Sequence, residues 1–574
     1  MTRGIILGVI VAVVVVAYRA APGPAASGNP KIDELFAQWN RRDTPGCTVG
    51  VSRGGQVVHE RAYGMASLEL GVPLTASSVL PAASISKQFT AMSVLLLARQ
   101  GRLSIDDPVR KHIPELHDFG APMTIRHLLN HTSGLRDAFT LDGWAAPQDP
   151  SVNPNDTMVR LLARQRGLNF PPGERFQYNN GGYNLLAHVV RRVSGQSLRE
   201  FARASIFDPL GMRGTHFHDD PAMVVPNRAS NYWMTSSGWH VGSELGGVIG
   251  NAGMQTTVGD LLRWQRNFHE PRVGDARLIT EMVSPPTLAS GEKSGYAIGV
   301  SVGQYRGVRV VEHGGGDRGI STYLAGYPDQ NLSVAILCNS DAIPSGPLAL
   351  RIADMYLTGV ATQAPATDGA NTTNALPAVV RLTAEQLASR AGWYADANGG
   401  LLRLSVREGT LTVRDVEGDD TLFDLTPIEP HRFLLLLGGT PMTQVDFAVE
   451  PGDREVMKVA PVGNDSMPQV FERVRWNPAV AAIEALAGEY RSEELDVTYR
   501  VEPRPGGLLI HPIGRPLIEV DAVSADMFAG SSAGTVRLLR DGSGRVTGFT
   551  FNRTVARGVR FDRVTEVSGF RRTP

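Results

Sequence analysis

The stretch Ser84-Ile85-Ser86-Lys87 carries the first pair of residues that could do chemistry. A serine and a lysine three positions apart at the start of a helix lie one turn apart on the same face. This spacing puts an amine beside a hydroxyl that is otherwise a poor nucleophile, which suits covalent attack on a carbonyl carbon. Backbone N–H groups at the helix start could stabilise the negative charge that develops there. The tetrapeptide is common, so its meaning depends on its companions.

A second chemical stretch runs over 172–183 and contains Tyr178 and Asn180 just before an apolar helix at 185–193. Two interpretations fit these residues. The turn could present the phenol and the amide to a substrate, or it could be a Gly/Asn-rich loop with an incidental tyrosine.

A third stretch, 310–319, is a strand that runs into glycines and includes His313, Gly315, Gly316, Asp317 and Arg318. It lacks the spacing and the Lys-Ser/Thr pair of a phosphate-binding P-loop. As a strand stripped of side chains, it could let the backbone of a substrate pair alongside.

The segments around these three stretches predict a large domain that contains both helices and strands. The helix that follows Ser84 is apolar on nearly every side, which favours burial in a core, and Gly101 is well placed to end it. Residues 32–75 read as a helix and a strand pair, and 322–327 and 332–338 read as two further strands before a closing helix at 347–357. The domain is therefore predicted to be α/β.

His127 and His131 are four residues apart, a spacing at which two histidines of a helix can share a metal. No Glu follows His127 and no third ligand is in view, so we predict hydrogen-bonded histidines at a helix end. No metal and no cofactor are predicted.

Composition describes an ordinary globular protein. The 574 residues are 42% hydrophobic and 20% charged, with a net charge of -1, which gives no support for nucleic-acid binding. The length alone suggests about two to four domains.

Residues 1–26 are predicted to be an export signal or an N-terminal anchor. Arg3 precedes an apolar run from Ile5 to Ala17, which is shorter than the roughly 20 residues that cross a bilayer. Cleavage could follow Ala17 or Ala25. The expected location is the periplasm or the exterior, with membrane attachment only through an uncleaved segment.

Cys47 and Cys338 are the two cysteines of the chain, and both lie in strand-like segments. A disulfide would form if those strands are neighbours. Two buried free thiols fit the sequence equally well.

The domain boundaries follow from composition and an internal repeat. The first domain is placed at 27–359, a linker rich in Ala, Thr, Pro, Asn and Gly at 360–378, and two units at 379–476 and 477–574. The segments around Gly392 and Gly488 open the two units, and Phe471-Glu472-Arg473 and Phe561-Asp562-Arg563 close them. Each unit has the size of a small antiparallel β-barrel.

The motifs Ser84-x-x-Lys87, Tyr178-x-Asn180 and His313-x-Gly315, in this order, resemble those of the penicillin-recognising serine hydrolases. Within them the chain is similar to the class C β-lactamase and D-alanyl-D-alanine carboxypeptidase family, which also contains esterases and D-aminopeptidases. Two flanking segments, 126–135 and 172–183, strengthen the resemblance, which covers roughly residues 30 to 360. It implies a β-lactamase/transpeptidase-like catalytic domain followed by two lipocalin-like barrels.

The resemblance implies a role for each motif residue. Ser84 would become acylated, and either Lys87 or Tyr178 would accept its proton, with His313 as the third catalytic group. The positive charge of Lys87 and any charge on His313 are expected to lower the pKa of Tyr178.

The substrate would be bound by the remaining residues of the motifs. Asn180 would hold Lys87 and the substrate amide, and the backbone of Gly315 and Gly316 would line the site, with the N–H of Gly316 in the oxyanion hole. Asp317 is the candidate partner for a substrate ammonium, and Arg318 for a substrate carboxylate.

His313 stands where many β-lactamases and DD-peptidases have a lysine, and an unperturbed histidine is mostly neutral at pH 7. This moves the expectation from β-lactamase towards aminopeptidase, amidase or esterase. Two appended barrels resemble the layout of D-stereospecific aminopeptidases of the family, in which a loop of the last barrel reaches the active site. The Gly/Ser-rich segment 529–534 is the candidate for that loop, with an ordinary hairpin turn as the alternative.

The sequence therefore predicts an exported serine hydrolase that forms an acyl-enzyme on small amide or peptide bonds, with D-residues favoured, as in a D-aminopeptidase or a DD-carboxypeptidase. The first alternative is a broad-specificity carboxylesterase. A β-lactamase ranks below it, and a non-catalytic peptide- or cell-wall-binding protein ranks last. The expected partner is a small molecule or short peptide, and the sequence does not indicate an oligomeric state.

Overall fold

The computed structural model describes residues 28–147, 153–242, 247–359, 378–397, 400–416, 422–437, 440–462, 467–476, 478–530 and 532–564. The predicted export signal or anchor at 1–26 and most of the predicted linker lie outside the described residues. No helix among the residues described here is both long enough and apolar enough to cross a membrane.

The first part of the chain contains twelve described α-helices and thirteen described strands. The helices are α1 Pro30–Phe36, α2 Ser86–Arg99, α3 Val109–His112, α4 Ile125–Leu129, α5 Ala138–Trp144, α6 Pro154–Ala163, α7 Asn180–Ser194, α8 Leu198–Ala202, α9 Asp208–Leu210, α10 Val258–His269, α11 Ala276–Met282 and α12 Ser345–Tyr356. The strands are β1 Cys47–Arg53, β2 Gln56–Tyr63, β3 Met65–Ser67, β4 Val72–Pro73, β5 Leu80–Pro81, β6 His216–Phe217, β7 Tyr232–Thr235, β8 Gly238–Val241, β9 Met254–Thr256, β10 Ser301–Tyr305, β11 Val308–Asp317, β12 Ile320–Tyr327 and β13 Leu332–Cys338.

A six-stranded antiparallel sheet with the order β10-β11-β12-β13-β1-β2 forms the centre of this domain. Every residue of β13 is buried, because α12 packs on one face of the sheet and α10 on the other. Successive side chains of a strand point to opposite faces, so the apolar run of β13 supplies both cores. Helix α2 lies within the larger core, and eleven of its residues are buried, as its sequence predicts.

Cys47 and Cys338 lie directly opposite each other on the neighbouring strands β1 and β13, and they form a disulfide. Of the two alternatives that the sequence left open, the structure has the cross-strand bridge. It ties residues that are 291 positions apart in the chain.

Two closed barrels of eight antiparallel strands follow, which confirms the predicted fold class. The first contains α13 Ala384–Ala388 and strands β14 Gly392–Asp396, β15 Leu401–Arg407, β16 Thr410–Asp415, β17 Leu422–Glu429, β18 Arg432–Leu437, β19 Thr440–Glu450, β20 Arg454–Pro461 and β21 Gln469–Arg473. The second contains α14 Val480–Glu484 and strands β22 Gly488–Ser492, β23 Val497–Arg504, β24 Gly507–His511, β25 Ile518–Ser524, β26 Met527–Gly530, β27 Gly534–Arg540, β28 Val546–Arg553 and β29 Ala556–Arg563.

The internal repeat in the sequence corresponds to an arginine in the last strand of each barrel, which binds the backbone just before the first strand. In the first barrel, the guanidinium of Arg473 donates to two backbone carbonyls of the segment that leads into β14. Arg563 makes the same two bonds to the segment that leads into β22. A side chain at Gly392 would come within 3.2 Å of the Arg473 side chain, so the glycine leaves room for the arginine to pass.

The second barrel packs on the first domain. The ring of Trp144, at the end of α5, lies 5.3 Å from Phe551 of β28, and Phe551 itself belongs to the aromatic core inside the barrel. The first barrel contacts the second, where the indole N–H of Trp393 donates to the carboxylate of Asp521 at 3.2 Å.

Candidate active site

Ser84 lies in a short 3-10 turn, Ala83–Ile85, that leads directly into α2. Ala83 has a φ of 46°, a left-handed conformation that costs a residue with a side chain about 1–3 kcal/mol. The serine is partly exposed and lines a cavity of about 400 Å³. The turn therefore presents the hydroxyl of Ser84 to a space of substrate size.

Lys87 is fully buried one turn later, with its Nζ 3.1 Å from Ser84 Oγ. The same Nζ donates to Asn180 Oδ1 and to the backbone oxygen of Asn251, both at 2.8 Å. Burial lowers the pKa of Lys87 well below its usual value, and the carboxylate of Asp137 opposes this effect. Both carbonyl oxygens can only accept hydrogen bonds, so the remaining position on the nitrogen faces Ser84. A neutral Lys87 would turn its lone pair towards the hydroxyl.

Tyr178 lies beside this pair, with its ring centre 4.7 Å from Lys87 Nζ. Burial raises the pKa of Tyr178 far above its usual value, and the interaction with Ser84 offsets only part of this effect. The expectation of a lowered pKa was therefore wrong, because the loss of hydration outweighs any attraction from neighbouring charges. Tyr178 holds its proton.

Asn180 is the first residue of α7, and the structure brings it to the Ser84–Lys87 pair as expected. Asn251 also binds Lys87, a contact that the three motifs did not predict. Its backbone oxygen accepts from Lys87, while its side-chain oxygen accepts from Asn184 at 2.7 Å. Its segment, Gly-Asn-Ala-Gly, was visible in the sequence, but no side-chain pattern identifies a residue that acts through its backbone.

His313 lies behind Tyr178, with 6.2 Å between the two ring centres. Its Nδ1 is 2.6 Å from the carbonyl oxygen of Gly314, which can only accept, so Nδ1 carries the proton. Nε2 then accepts from the hydroxyl of Tyr296 at 2.9 Å. Burial and nearby Lys87 lower the pKa of His313 to about 3, so the ring is neutral. His313 is not among the residues that line the cavity with Ser84.

Gly315 and Gly316 occupy different positions although they are adjacent in β11. A side chain at Gly315 would lie 2.7 Å from the backbone oxygen of Ala82, so this glycine lets the turn of Ser84 rest on the strand. Gly316 is exposed and lines the cavity. Strand β10 pairs with β11 only as far as Glu312, so this stretch has β12 on one side and no strand on the other among the residues described.

Asp317 lines the same cavity as Ser84, and its side chain accepts from the backbone N–H of Arg318 at 2.7 Å. Partial burial raises the pKa of this carboxyl above its usual value. Arg318 is exposed and stacks on Trp233, 4.7 Å from the ring centre, and it is not among the cavity-lining residues. The structure therefore brings Asp317 to the candidate site and places Arg318 outside it.

His127 and His131 are hydrogen-bonded at a helix end, as predicted. The ring of His127 accepts from the backbone of Thr124 in a capping box, and the ring of His131 accepts from the backbone of Asn179 at 3.1 Å. No group of three or more His, Cys, Asp or Glu in the described part of the chain could hold a metal ion.

Two residues that the motifs missed complete this region. Asp137 is buried, burial raises its pKa, and its carboxylate caps α5 by accepting from Thr140. His218 lines the cavity and is 3% exposed. Asp137 lies two residues after the flanking segment 126–135, so the resemblance in that segment was the one sequence feature that pointed towards it.

The described residues of the segment 529–534 are not among those that line the cavity. They form the hairpin turn between β26 and β27, where the backbone oxygen of Ser532 accepts from the indole N–H of Trp144 at 2.9 Å; Ser531 lies outside the described residues. A different hairpin approaches the site. Between β28 and β29, the backbone oxygen of Thr554 accepts from Gln177 at 2.9 Å, next to Tyr178.

Comparison with known proteins agrees with this geometry. Residues 32–354 match the protein family described as Beta-lactamase. A D-aminopeptidase from Cereibacter sphaeroides is 26% identical over 537 residues, which are 91% of this chain and 96% of that protein. A penicillin-binding protein from Bacillus subtilis is 31% identical over 331 residues, which are 54% of this chain and 71% of that protein.

The fold is also shared with a solved structure, the octameric penicillin-binding protein homologue from Pyrococcus abyssi. That match has a TM-score of 0.53 and 24% identity, and it covers 77% of this chain and 99% of the other. The family resemblance read from the three motifs is thus confirmed. The chain belongs to the beta-lactamase family, and it is a serine hydrolase of the β-lactamase fold.

Proposed function

We propose that the protein is a D-aminopeptidase, which releases an amino-terminal D-residue from small amides and short peptides. The observation that carries this is the position of Asp317, an acidic side chain in the same cavity as Ser84, where it can pair with a substrate ammonium. The similarity to a D-aminopeptidase supports it, because that match extends over 91% of this chain and so includes both barrels.

Lys87 is the proposed base of the acylation step. A base must be able to accept a proton, and burial favours the neutral form of Lys87 while Tyr178 keeps its proton. Ser84 Oγ bonds to the substrate carbonyl carbon as its proton passes to Lys87 Nζ, 3.1 Å away. The backbone N–H groups of Ser84 and Gly316 are the proposed donors to the oxyanion.

Tyr178 is the proposed acid for the leaving group. Its hydroxyl, which keeps its proton because burial raises its pKa, donates that proton to the departing amine as the carbon–nitrogen bond breaks. Lys87, whose Nζ lies 4.7 Å from the ring centre, returns a proton to the phenol. Water then attacks the carbonyl carbon of the acyl-enzyme as its proton passes to Lys87. The bond from that carbon to Ser84 Oγ breaks, Lys87 returns the proton to Oγ, and the free amino acid leaves.

The proposed role of His313 is to position the ring of Tyr178, beside which it lies outside the cavity lining, rather than to carry a positive charge. Its pKa of about 3 leaves it neutral at neutral pH, so it offers no positive charge to a substrate carboxylate. Arg318 stacks on Trp233, outside the cavity lining. These features support a substrate with an amino group near the scissile bond over one with a carboxylate, such as a β-lactam.

Export is proposed from two observations. The apolar run from Ile5 to Ala17 has the composition of a signal segment. The Cys47–Cys338 disulfide supports an oxidising compartment, such as the periplasm or the exterior.

A rate panel tests the proposed activity. The substrates are D-alanine p-nitroanilide, L-alanine p-nitroanilide, p-nitrophenyl acetate and a chromogenic cephalosporin. We expect turnover of the D-anilide and a loss of at least about a thousandfold in kcat/KM for Ser84→Ala. Ser290→Ala, which removes an exposed serine, is the matched control and should keep full activity. Fast ester cleavage without turnover of the D-anilide would instead identify an esterase.

A further inference from the structure

Helix α5 contributes one residue to the lining of the cavity that contains Ser84. Its residue Phe139 lines the cavity together with Ser84 and Asn180, and it is the largest non-polar side chain among the lining residues. Phe139 is half-buried, so part of its ring faces the open space. A substrate group that extends towards α5 would meet this ring first.

The second barrel holds the start of α5. The backbone N–H of Asp137, the residue that caps the helix, donates to the backbone oxygen of Val555 at 2.7 Å. The neighbouring Arg136 donates to the backbone oxygens of Arg557 and Gly558 at 2.7 and 3.0 Å. Arg136 also pairs with Glu494 of the barrel, and both side chains are buried, which makes the contact costly to break.

The same barrel holds the end of α5. Trp144 donates from its indole to Ser532 and lies against Phe551 inside the barrel, while the hydroxyl of Tyr499 donates to the backbone oxygen of Trp144. Arg515 donates to the backbone oxygen of Asp142 at 2.9 Å. Both ends of the helix are therefore fixed by groups of the barrel.

A helix of seven residues is too short to be stable on its own, because nucleation is unfavourable and few backbone bonds follow it. The position of Phe139 then depends on what holds the two ends of α5. Those contacts come from a domain whose described residues, 478–530 and 532–564, are not among the residues that line the cavity. The barrel can thus determine the shape of the cavity without entering it.

We propose that Phe139 is a specificity-determining residue that limits the size of the acyl group of the substrate, and that the second barrel positions it by holding both ends of α5. The size limit rests on the proposed hydrolase function. The acyl group is the part that contains the carbonyl attacked by Ser84, so its side chain is what Phe139 would restrict.

The test compares D-leucine p-nitroanilide with D-alanine p-nitroanilide in the full chain. Phe139→Ala should raise the ratio of kcat/KM for the larger over the smaller substrate by about tenfold, because the enlarged cavity accepts the longer side chain. Phe119→Ala, which truncates a half-buried phenylalanine outside the cavity, is the matched control and should leave the ratio unchanged. If Phe139→Ala does not fold, Phe139→Leu makes the same comparison with a smaller change.

Arg515→Ala tests the part played by the barrel. It should raise the same ratio, by less than Phe139→Ala does, while the double variant should show only the ratio of Phe139→Ala, because both changes act through one side chain. Arg164→Ala is its control, since it removes another contact to the barrel, the ion pair with Asp496 at 2.9 Å, and leaves α5 untouched.

Each outcome decides one statement. An unchanged ratio in Phe139→Ala overturns the size limit. An unchanged ratio in Arg515→Ala, or effects that simply multiply in the double variant, overturns the positioning role of the barrel. If the unchanged protein turns over neither D-anilide, the proposed function fails, and p-nitrophenyl acetate against p-nitrophenyl hexanoate makes the same size comparison with the same variants.

Discussion

Gly315 of β11 lies directly against Ala82, so closely that a side-chain carbon at Gly315 would be 2.7 Å from the backbone oxygen of Ala82. The same carbon would be 2.3 Å from Thr322 Oγ1, which itself donates to Ala82 O at 3.0 Å. The strand and the turn of Ser84 therefore meet through backbone atoms. This explains a glycine at this position by steric fit, independently of substrate contact.

Gly315→Ala should lower both stability and activity, because the strand or the turn has to move to admit the methyl group. We expect a loss of about 1–3 kcal/mol in the free energy of unfolding and a fall in kcat as the turn of Ser84 shifts. Gly314→Ala is the control in the preceding position, where the nearest atom would lie at an ordinary 3.5 Å. Equal behaviour of the two variants in denaturation and rate assays would contradict the steric explanation.

Lys87→Arg should abolish most of the activity. The guanidinium keeps its proton at any ordinary pH and cannot act as a base, so we expect kcat to fall by roughly 10²–10⁴-fold. In the unchanged enzyme, kcat/KM should rise with pH as Lys87 loses its proton, and level off below the pH at which an exposed lysine titrates.

Tyr178→Phe separates the two candidate bases. It should reduce the rate but keep the rising limb of the pH profile, because that limb belongs to Lys87. Loss of the limb in Tyr178→Phe, with its survival in Lys87→Arg, would show that the phenol is the base.

The protein should lose stability as the pH falls from about 6.5 towards 4. Burial lowers the pKa of His59 and His188 to about 4, and burial with nearby Lys87 lowers that of His313 to about 3. The unfolded chain, whose histidines titrate near 6.5, therefore takes up protons first as acid is added, which favours unfolding. Each such histidine contributes up to about 1.4 kcal/mol per pH unit within this window.

Denaturation across this pH range checks the sign and the origin of the effect. His188→Gln should flatten the dependence by the share of one histidine, whereas His431→Gln, at an exposed position in the first barrel, should leave it unchanged. Stability that stays constant or rises on acidification would refute the assignment.

Replacing both cysteines by alanine should destabilise the catalytic domain by about 2–5 kcal/mol, because the bridge restricts the unfolded chain. The urea midpoint of the domain measures this change. A reductant should lower the midpoint of the unchanged protein and have no effect on the double variant. Two thiols that react with alkylating agents in the unfolded, unreduced protein would disprove the disulfide.

The sequence alone predicted those parts of the fold and the site in which residue type and spacing directly reflect side-chain chemistry. The structure brings Ser84, Lys87 and Asn180 together, as their residue types and spacing predicted. The two barrels were predicted because the repeat preserves Arg473 and Arg563 at corresponding ends. Burial of α2 followed from its apolar residues on every side. In these cases the local sequence and the tertiary contacts require the same residues.

The sequence alone did not predict properties that depend on contacts between distant parts of the chain. The pKa of Tyr178 depends on how completely water is removed, which no motif records. Asn251 acts through its backbone oxygen, and the contacts of Arg136 with the barrel join residues about four hundred positions apart in the chain. The segment 529–534 has the composition of a loop that could reach the site, yet the hairpin at Thr554 is the one beside Tyr178.

The contact between Asp137 and Val555 also has a consequence for how the protein is made. A ribosome completes Ser84, Lys87, Tyr178 and His313 well before it reaches the last two strands of the second barrel. Helix α5, which carries Phe139, receives its contacts from the barrel only after those strands have been synthesised and folded. A chain that is broken off or cut before Val555 would therefore carry every described residue that lines the cavity and still lack the contacts that hold Phe139 in place. Selective hydrolysis therefore requires that the polypeptide has been synthesised and folded as far as the end of its second barrel.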